Sequence, residues 1–300
     1  METSVENDDA TVGRILTRRE ALRAVARAGL GLAVIGEAHQ MAYASAPPDA
    51  TPKAHLVASP VLTEGPFFVD ENLNRRDLVG GTTRNSVKNG VPLEISFTLY
   101  KLSGESHTLL QGAHVDVWHD DAIGVYSDEN HPMNHEETSR QTWLRGFQVT
   151  DGVGSATFKT IFPGWYPGRT PHVHFKIRTY SSAAKVTAEF TSQLFFKDAD
   201  ARRIYSVEPY TLAGDRDTTN ANDNIFNERQ HDGSVAGEHM ILDLKRVAGS
   251  GGYRANFTVV LTDQNLRAGR GDRRGGPPPG GFGGPPPDGG PGGPPPGASL

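Results

Sequence analysis

His172 and His174 stand one residue apart in Phe162-Pro163-Gly164-Trp165-Tyr166-Pro167-Gly168-Arg169-Thr170-Pro171-His172-Val173-His174-Phe175, the stretch of this 300-residue sequence densest in metal- or substrate-binding groups. Residues two apart on a strand point to the same face. The two imidazoles therefore project in parallel, and Val173, Phe175 and Ile177 face the opposite, core side. A parallel pair of imidazoles is half of a metal site; a surface or core pair with no metal role is the other reading. The prolines and glycines before the pair make a rigid turn, which suits a site that must hold its groups to a fraction of an ångström. Tyr166 and Arg169 lie inside that turn. A tyrosine there commonly packs by its ring, whereas beside a trivalent cation its phenol ionises and becomes a hard oxygen ligand.

A second cluster lies upstream in Gly112-Ala113-His114-Val115-Asp116-Val117-Trp118-His119-Asp120-Asp121-Ala122-Ile123-Gly124-Val125-Tyr126-Ser127. A strand runs into a glycine-containing turn that presents Tyr126, taken alone an ordinary loop aromatic. Asp116, Asp120 and Asp121 are read as strand-end and turn residues, since acids there bond local backbone. His114, His119, His131 and His135 compete with His172 and His174 as ligands. The chain has no cysteine, which removes disulfides, thiolate zinc sites, iron–sulfur clusters and cysteine nucleophiles. Any metal must be held by His, Asp, Glu or Tyr.

The elements that position these residues read as strands. Leu93, Ile95, Phe97 and Leu99 alternate with polar residues, as do Tyr253, Ala255, Phe257, Val259 and Leu261. Ala113 to Trp118, Gly154 to Ile161, Thr170 to Ile177 and Ile241 to Val247 are further strand candidates, separated by turn signals such as Asp151-Gly152. No long segment between residues 55 and 265 carries a helical period. The expectation is an all-β, antiparallel β-sandwich over 55–265, with long loops at Tyr126 to Thr142 and Arg202 to Glu238. Loops of that length usually serve function.

The ends read differently. Arg18-Arg19, a small-residue apolar run from Ala24 to Gly36, and the cleavable patterns Ala42-Tyr43-Ala44 and Ala44-Ser45-Ala46 make residues 1–46 a twin-arginine signal peptide, with 47–54 a linker. Export to the periplasm or outside follows; a cytoplasmic amphipathic helix is the alternative, favoured by Arg27. The run is too short and too rich in Gly and Ala for stable membrane insertion. Residues 266–300, with three Pro-Pro-Pro runs, form a Gly/Pro-rich tail expected to be disordered. Net charge is −5 and no basic stripe is present, so nucleic acid is not an expected partner. A homo-oligomer is compatible with the sequence.

Taken together, Leu62-Thr63-Glu64-Gly65-Pro66-Phe67, the block from Val115 to Tyr126, and Tyr166-x-x-Arg169-x-x-His172-x-His174 resemble the intradiol ring-cleavage dioxygenases that act on catechol, hydroxyquinol and protocatechuate. Gln193, in Thr191-Ser192-Gln193-Leu194-Phe195-Phe196, falls where that family has a similar strand. The resemblance implies a mononuclear Fe(3+) bound by Tyr126, Tyr166, His172, His174 and a solvent hydroxide. It implies catalytic roles for Tyr166, which yields its place to the diol, and for Arg169, which stabilises negative charge on the substrate. It also implies a substrate-binding role for Gln193. The partners are then an aromatic diol and O2, and the product a muconate-type diacid. The chain departs from the family in having Phe67 and Phe68 where tyrosine often follows the Gly-Pro, and in its short spacing from Tyr166 to His172. Two other readings stand beside this one: a divalent-metal enzyme built on His172, His174 and a carboxylate, and an exported β-sandwich binding module without activity.

Overall fold

The alternation read in the sequence becomes a buried stripe. In strand β1 (Pro92–Ser103) Leu93, Ile95, Phe97 and Leu99 are all at most 2% exposed, while Glu94, Ser96 and Thr98 are half-buried. Each such apolar side chain contributes about 1.5–3 kcal/mol by leaving water. The computed structural model describes residues 56–268 apart from Gly81 and Thr83. The signal (1–46), the linker (47–54) and nearly all of the 266–300 tail lie outside the described residues.

Among the described residues ten strands build two sheets. The others are β2 (Ser106–Leu109), β3 (His114–Trp118), β4 (Arg145–Val149), β5 (Ser155–Ile161), β6 (His172–Tyr180), β7 (Val186–Phe195), β8 (Lys245–Arg246), β9 (Tyr253–Leu261) and β10 (Arg267–Ala268). One sheet runs β2-β1-β9-β8, with β5 also paired to β1; the other runs β10-β7-β6-β3-β4. Their apolar faces meet in one core that takes Phe97, Val115, Phe158, Phe175, Phe190 and Val259. The all-β sandwich expected from the sequence is the fold observed.

All but one of the strand pairings are antiparallel. The exception joins β1 to β9 in parallel, Leu93 opposite Tyr253 through Lys101 opposite Leu261. Where the sequence suggests a strand over Ile241 to Val247, only Lys245–Arg246 pairs regularly, with a lone bridge from Ile241 to Phe195. Strands β2 and β4 lie outside the strand candidates of the sequence, and β7 takes in Thr191 to Phe195 of the run that resembles a family strand. Two short helices, α1 (Asn85–Lys88) and α2 (Asp198–Ile204), interrupt the β pattern. Among the described residues no helix is long and apolar enough to cross a membrane.

Candidate metal and substrate site

Strand β6 delivers His172 and His174 to one face of its sheet, and both are buried. In register with His174 stand Trp118 on β3 and Gln193 on β7. Cross-strand neighbours share a face, so the three side chains lie side by side. The Trp118 ring stacks on His174 at 4.9 Å and 8°. On its other flank His174 meets Gly65, where a Cβ would stand 3.3 Å from the imidazole. Gly65, at φ +69°, thus gives the ring its space as well as the chain its turn.

The phenols arrive from two turns that lock together. After Trp118 the chain folds back at Asp121, whose side chain accepts from the Ile123 and Val125 amides. Gly124 has φ +87°, and a Cβ there would fall 2.0 Å from the Trp165 carbonyl oxygen. The Gly164 amide donates to the Asp121 carbonyl at 2.9 Å. Only residues lacking a side chain allow this approach, which fixes Tyr126 and Tyr166 relative to each other. Their ring centroids are 5.9 Å apart.

Tyr126 is held from three sides. Its amide donates to Asn134 Oδ1, its carbonyl accepts from Asn134 and Thr138, and Phe67 stacks on its ring at 4.3 Å. Buried Arg145 ties this segment to the entry turn, Thr63 to Phe67, by donating to the carbonyls of Phe67 and Ser127. The Thr63-to-Phe67 run serves the site by packing: Gly65 admits His174 and Phe67 backs Tyr126.

The polar atoms converge. His172 Nε2 lies 3.0 Å from His174 Nε2 and 3.4 Å from Tyr166 Oη. Arg169 Nη1 is 3.4 Å from both Tyr166 Oη and His172 Nε2. The His172 Nδ1 donates to the Thr170 carbonyl at 2.8 Å. A carbonyl can only accept, so Nδ1 carries the proton and neutral His172 turns a bare Nε2 lone pair inward. Burial, then Arg169, holds the His172 pKa well below the ordinary imidazole value; burial, then His172 and Arg169, does the same for His174. Burial, against the pull of Arg169, raises the Tyr166 phenol; burial and then Tyr166 push Tyr126 well above the usual range. Both bases are uncharged and both acids unionised. Tyr126 Oη and His174 Nδ1 are buried with no hydrogen-bond partner, a state that normally costs about 1–3 kcal/mol per group.

This donor set fits a trivalent metal ion. A cation among the four side chains would occupy the orphaned phenol, take the imidazole lone pairs and favour ionised tyrosines. Among the described residues no group of three or more His, Asp or Glu side chains is placed to share a metal. The acids behave as turn and strand residues: Asp121 bonds Arg84 and the turn, and Asp116 chelates Arg178. Asp120 is buried with one oxygen unpartnered. Three of the rival histidines are otherwise engaged, and the fourth, His135, is exposed. His119 has both ring nitrogens bonded, to the Asp120 carbonyl and Thr160 Oγ1, each at 2.7 Å. His114 stacks on Phe147, and His131 receives the Met133 amide.

Arg169 does not pair with a surface carboxylate. Its partners are Asp223, 0% exposed, at 2.9 Å and Gln193 Oε1 at 2.5 Å. Gln193 in turn donates to the Thr63 carbonyl, so it joins the site beside Arg169. Trp118 and Asp223 are the site residues that sequence reasoning missed; Phe67, read there as a departure from the family, stacks on Tyr126.

A family model described as a dioxygenase matches residues 63–237. An intradiol ring-cleavage dioxygenase from Tetranychus urticae superposes with a TM-score of 0.56 at 27% identity, covering 69% of this chain and 95% of that one. The chain belongs to the intradiol ring-cleavage dioxygenase family. Every residue of the convergent cluster falls inside the stretch matched to the dioxygenase family. A further member, a chlorocatechol 1,2-dioxygenase from Pseudomonas putida, is 30% identical over 136 residues, or 38% of this dioxygenase and 46% of the relative. The chain thus spans about half the length of the curated relative it matches.

Proposed function

We propose that this chain opens a catechol-type diol between its two hydroxylated carbons, incorporating both atoms of O2, with Fe(3+) held by Tyr126, Tyr166, His172 and His174. The observation that carries the reading is the convergence of two neutral imidazoles, Nε2 to Nε2 at 3.0 Å, and two unionised phenols in one buried cluster. Hard phenolate oxygens suit the ferric state, and two phenolates with a hydroxide balance its charge. When bound, the ferric ion supplies the positive charge that ionises the phenols and draws a diol's oxygens beside them.

The two tyrosines are not equivalent. Tyr126 is clamped through its backbone and stacked under Phe67, so it stays in place. Tyr166 has Arg169 Nη1 beside its oxygen. It is the phenol that gives way to substrate and takes a substrate proton at Oη. Arg169 keeps a fixed positive charge where the substrate oxygen becomes anionic. Gln193, bonded to Arg169 and to the entry turn, lines the same side.

Iron-loaded protein is expected to be wine red and to consume catechol, hydroxyquinol or protocatechuate under oxygen. Active but colourless protein would favour a divalent-metal enzyme, and red protein inert toward all diols would favour a binding module. Export through the twin-arginine signal of residues 1–46 belongs to the same proposal; N-terminal sequencing of protein recovered outside the cytoplasm tests it.

A further inference from the structure

We propose that Asp223 is the residue that positions Arg169 for ring cleavage, and that the segment from Asp217 to Asp223 fixes the turn carrying it. The inference rests on the ring-cleavage reading above only for what Arg169 does; where Arg169 is held is a separate matter.

The carboxylate of Asp223 is fully buried and both its oxygens are saturated. Oδ1 accepts from the amides of Ile225 and Phe226, which anchors it in its own turn. Oδ2 reaches across to accept from Arg169 Nε at 2.9 Å and the Thr170 amide at 2.8 Å. One oxygen therefore sets its location and the other passes that location to the site.

The guanidinium has three faces to satisfy. Asp223 takes the Nε face and Gln193 takes Nη2, which leaves Nη1 directed at Tyr166 Oη and His172 Nε2. Gln193 alone offers a single acceptor about which the planar group can turn; a second acceptor at Nε removes that freedom. Asp223 has no exposed surface and so does not meet substrate itself.

The same segment grips the neighbouring backbone. Asp217 accepts from the Gly168 amide at 3.2 Å, and Thr170 Oγ1 donates to Asn220 at 2.7 Å. The Thr170 carbonyl is the acceptor that sets the His172 tautomer. Residues 217, 220 and 223 therefore hold 168–170, and with them both the arginine and the orientation of one imidazole.

The test has two arms on the full chain. In the metal-free protein, the Arg169 Nε–H, assigned by its loss in Arg169→Lys, is expected to exchange slowly with solvent and to lose that protection in Asp223→Asn. Fast exchange in the wild type, or protection that survives Asp223→Asn, overturns the proposal. In the iron-loaded protein, Asp223→Asn is expected to lower kcat for a cleaved diol by about 10–100-fold with KM changed less than about 3-fold, the scale of a small misplacement. In an Arg169→Ala background the same substitution should cost under about 3-fold. Losses that multiply instead would show that Asp223 acts by another route. A wild type that cleaves no diol counts against the functional reading, and the exchange measurement then decides the placement of Arg169 alone.

Discussion

Gly124→Ala tests the interlock that brings the two phenols together. Alanine at φ +87° enters the left-handed region, which costs an L-residue about 1–2 kcal/mol. Its Cβ would also stand 2.0 Å from the Trp165 carbonyl oxygen, so the turns must part by more than an ångström. Forced overpacking adds about 1–3 kcal/mol, giving about 2–5 kcal/mol in all. Gly112→Ala is the matched control, with φ +77° and nothing within 4 Å of its Cβ. It bears the conformational cost without the contact. The excess of Gly124→Ala over Gly112→Ala is then about 1–3 kcal/mol, or roughly 2–12 °C in Tm for a domain of this size. Thermal unfolding of the metal-free proteins measures it. The visible band of the iron-loaded Gly124→Ala should also weaken, since Tyr126 and Tyr166 no longer share one pocket. If both variants melt together within about 1 °C and the band is intact, the reasoning that these glycines set the phenol geometry is refuted.

Three other outcomes are expected. Tyr126→Phe should abolish the visible band and the activity yet raise the metal-free stability by about 1–3 kcal/mol, because it removes a buried hydroxyl that has no partner; paired spectra and urea titrations check both. Phe67→Ala should cost about 3–5 kcal/mol, as for other buried phenylalanines, and it removes the ring stacked on Tyr126. Burial lowers the His119 pKa from 6.5 to about 4, so between these values the unfolded chain binds a proton that the folded one refuses. Stability is therefore complete above pH 6.5 and falls as pH drops from 6.5 to 4, by about 3 kcal/mol from this residue. Denaturant melts at pH 4.5 and 7 should differ less for His119→Gln than for the wild type.

Much of the site is legible in the residues because the histidine pair sits on a regular strand. His172 and His174 at period two share a face, and Val173, Phe175 and Ile177 enter the core, as alternation requires. Tyr166 and Arg169 fall within a turn too short to carry them far. Asp223 could not be found this way. It lies 54 residues beyond Arg169 in a loop without periodicity, and the signal, an acid amid Asn220-Ala221-Asn222-Asp223-Asn224, looks like any polar turn. Trp118 read as an ordinary strand residue because its stacking on His174 depends on the β3–β6 register. The two-residue strand at Lys245–Arg246 shows the opposite failure: Ile241 and Leu242 are apolar through packing beside the 3-10 turn Ala236–Met240, not through strand pairing. The parallel union of β1 and β9 leaves no mark on either strand's alternation, since both directions place the same residues inward.

That union has a consequence for how the protein is made. Arg254 reaches Glu94 across a separation of 160 residues, and β9 is an interior member of its sheet, not a border. Contacts so distant in sequence form slowly. Tyr126, Tyr166, His172 and His174 leave the ribosome well before β9 does, but the core that Val173, Phe175 and Ile177 enter from β6 is incomplete until Val259 and Leu261 have docked. On the ferric reading, a chain cut short before residue 253 would carry Tyr126, Tyr166, His172 and His174 yet lack the completed core that backs β6, and it is expected to retain no metal.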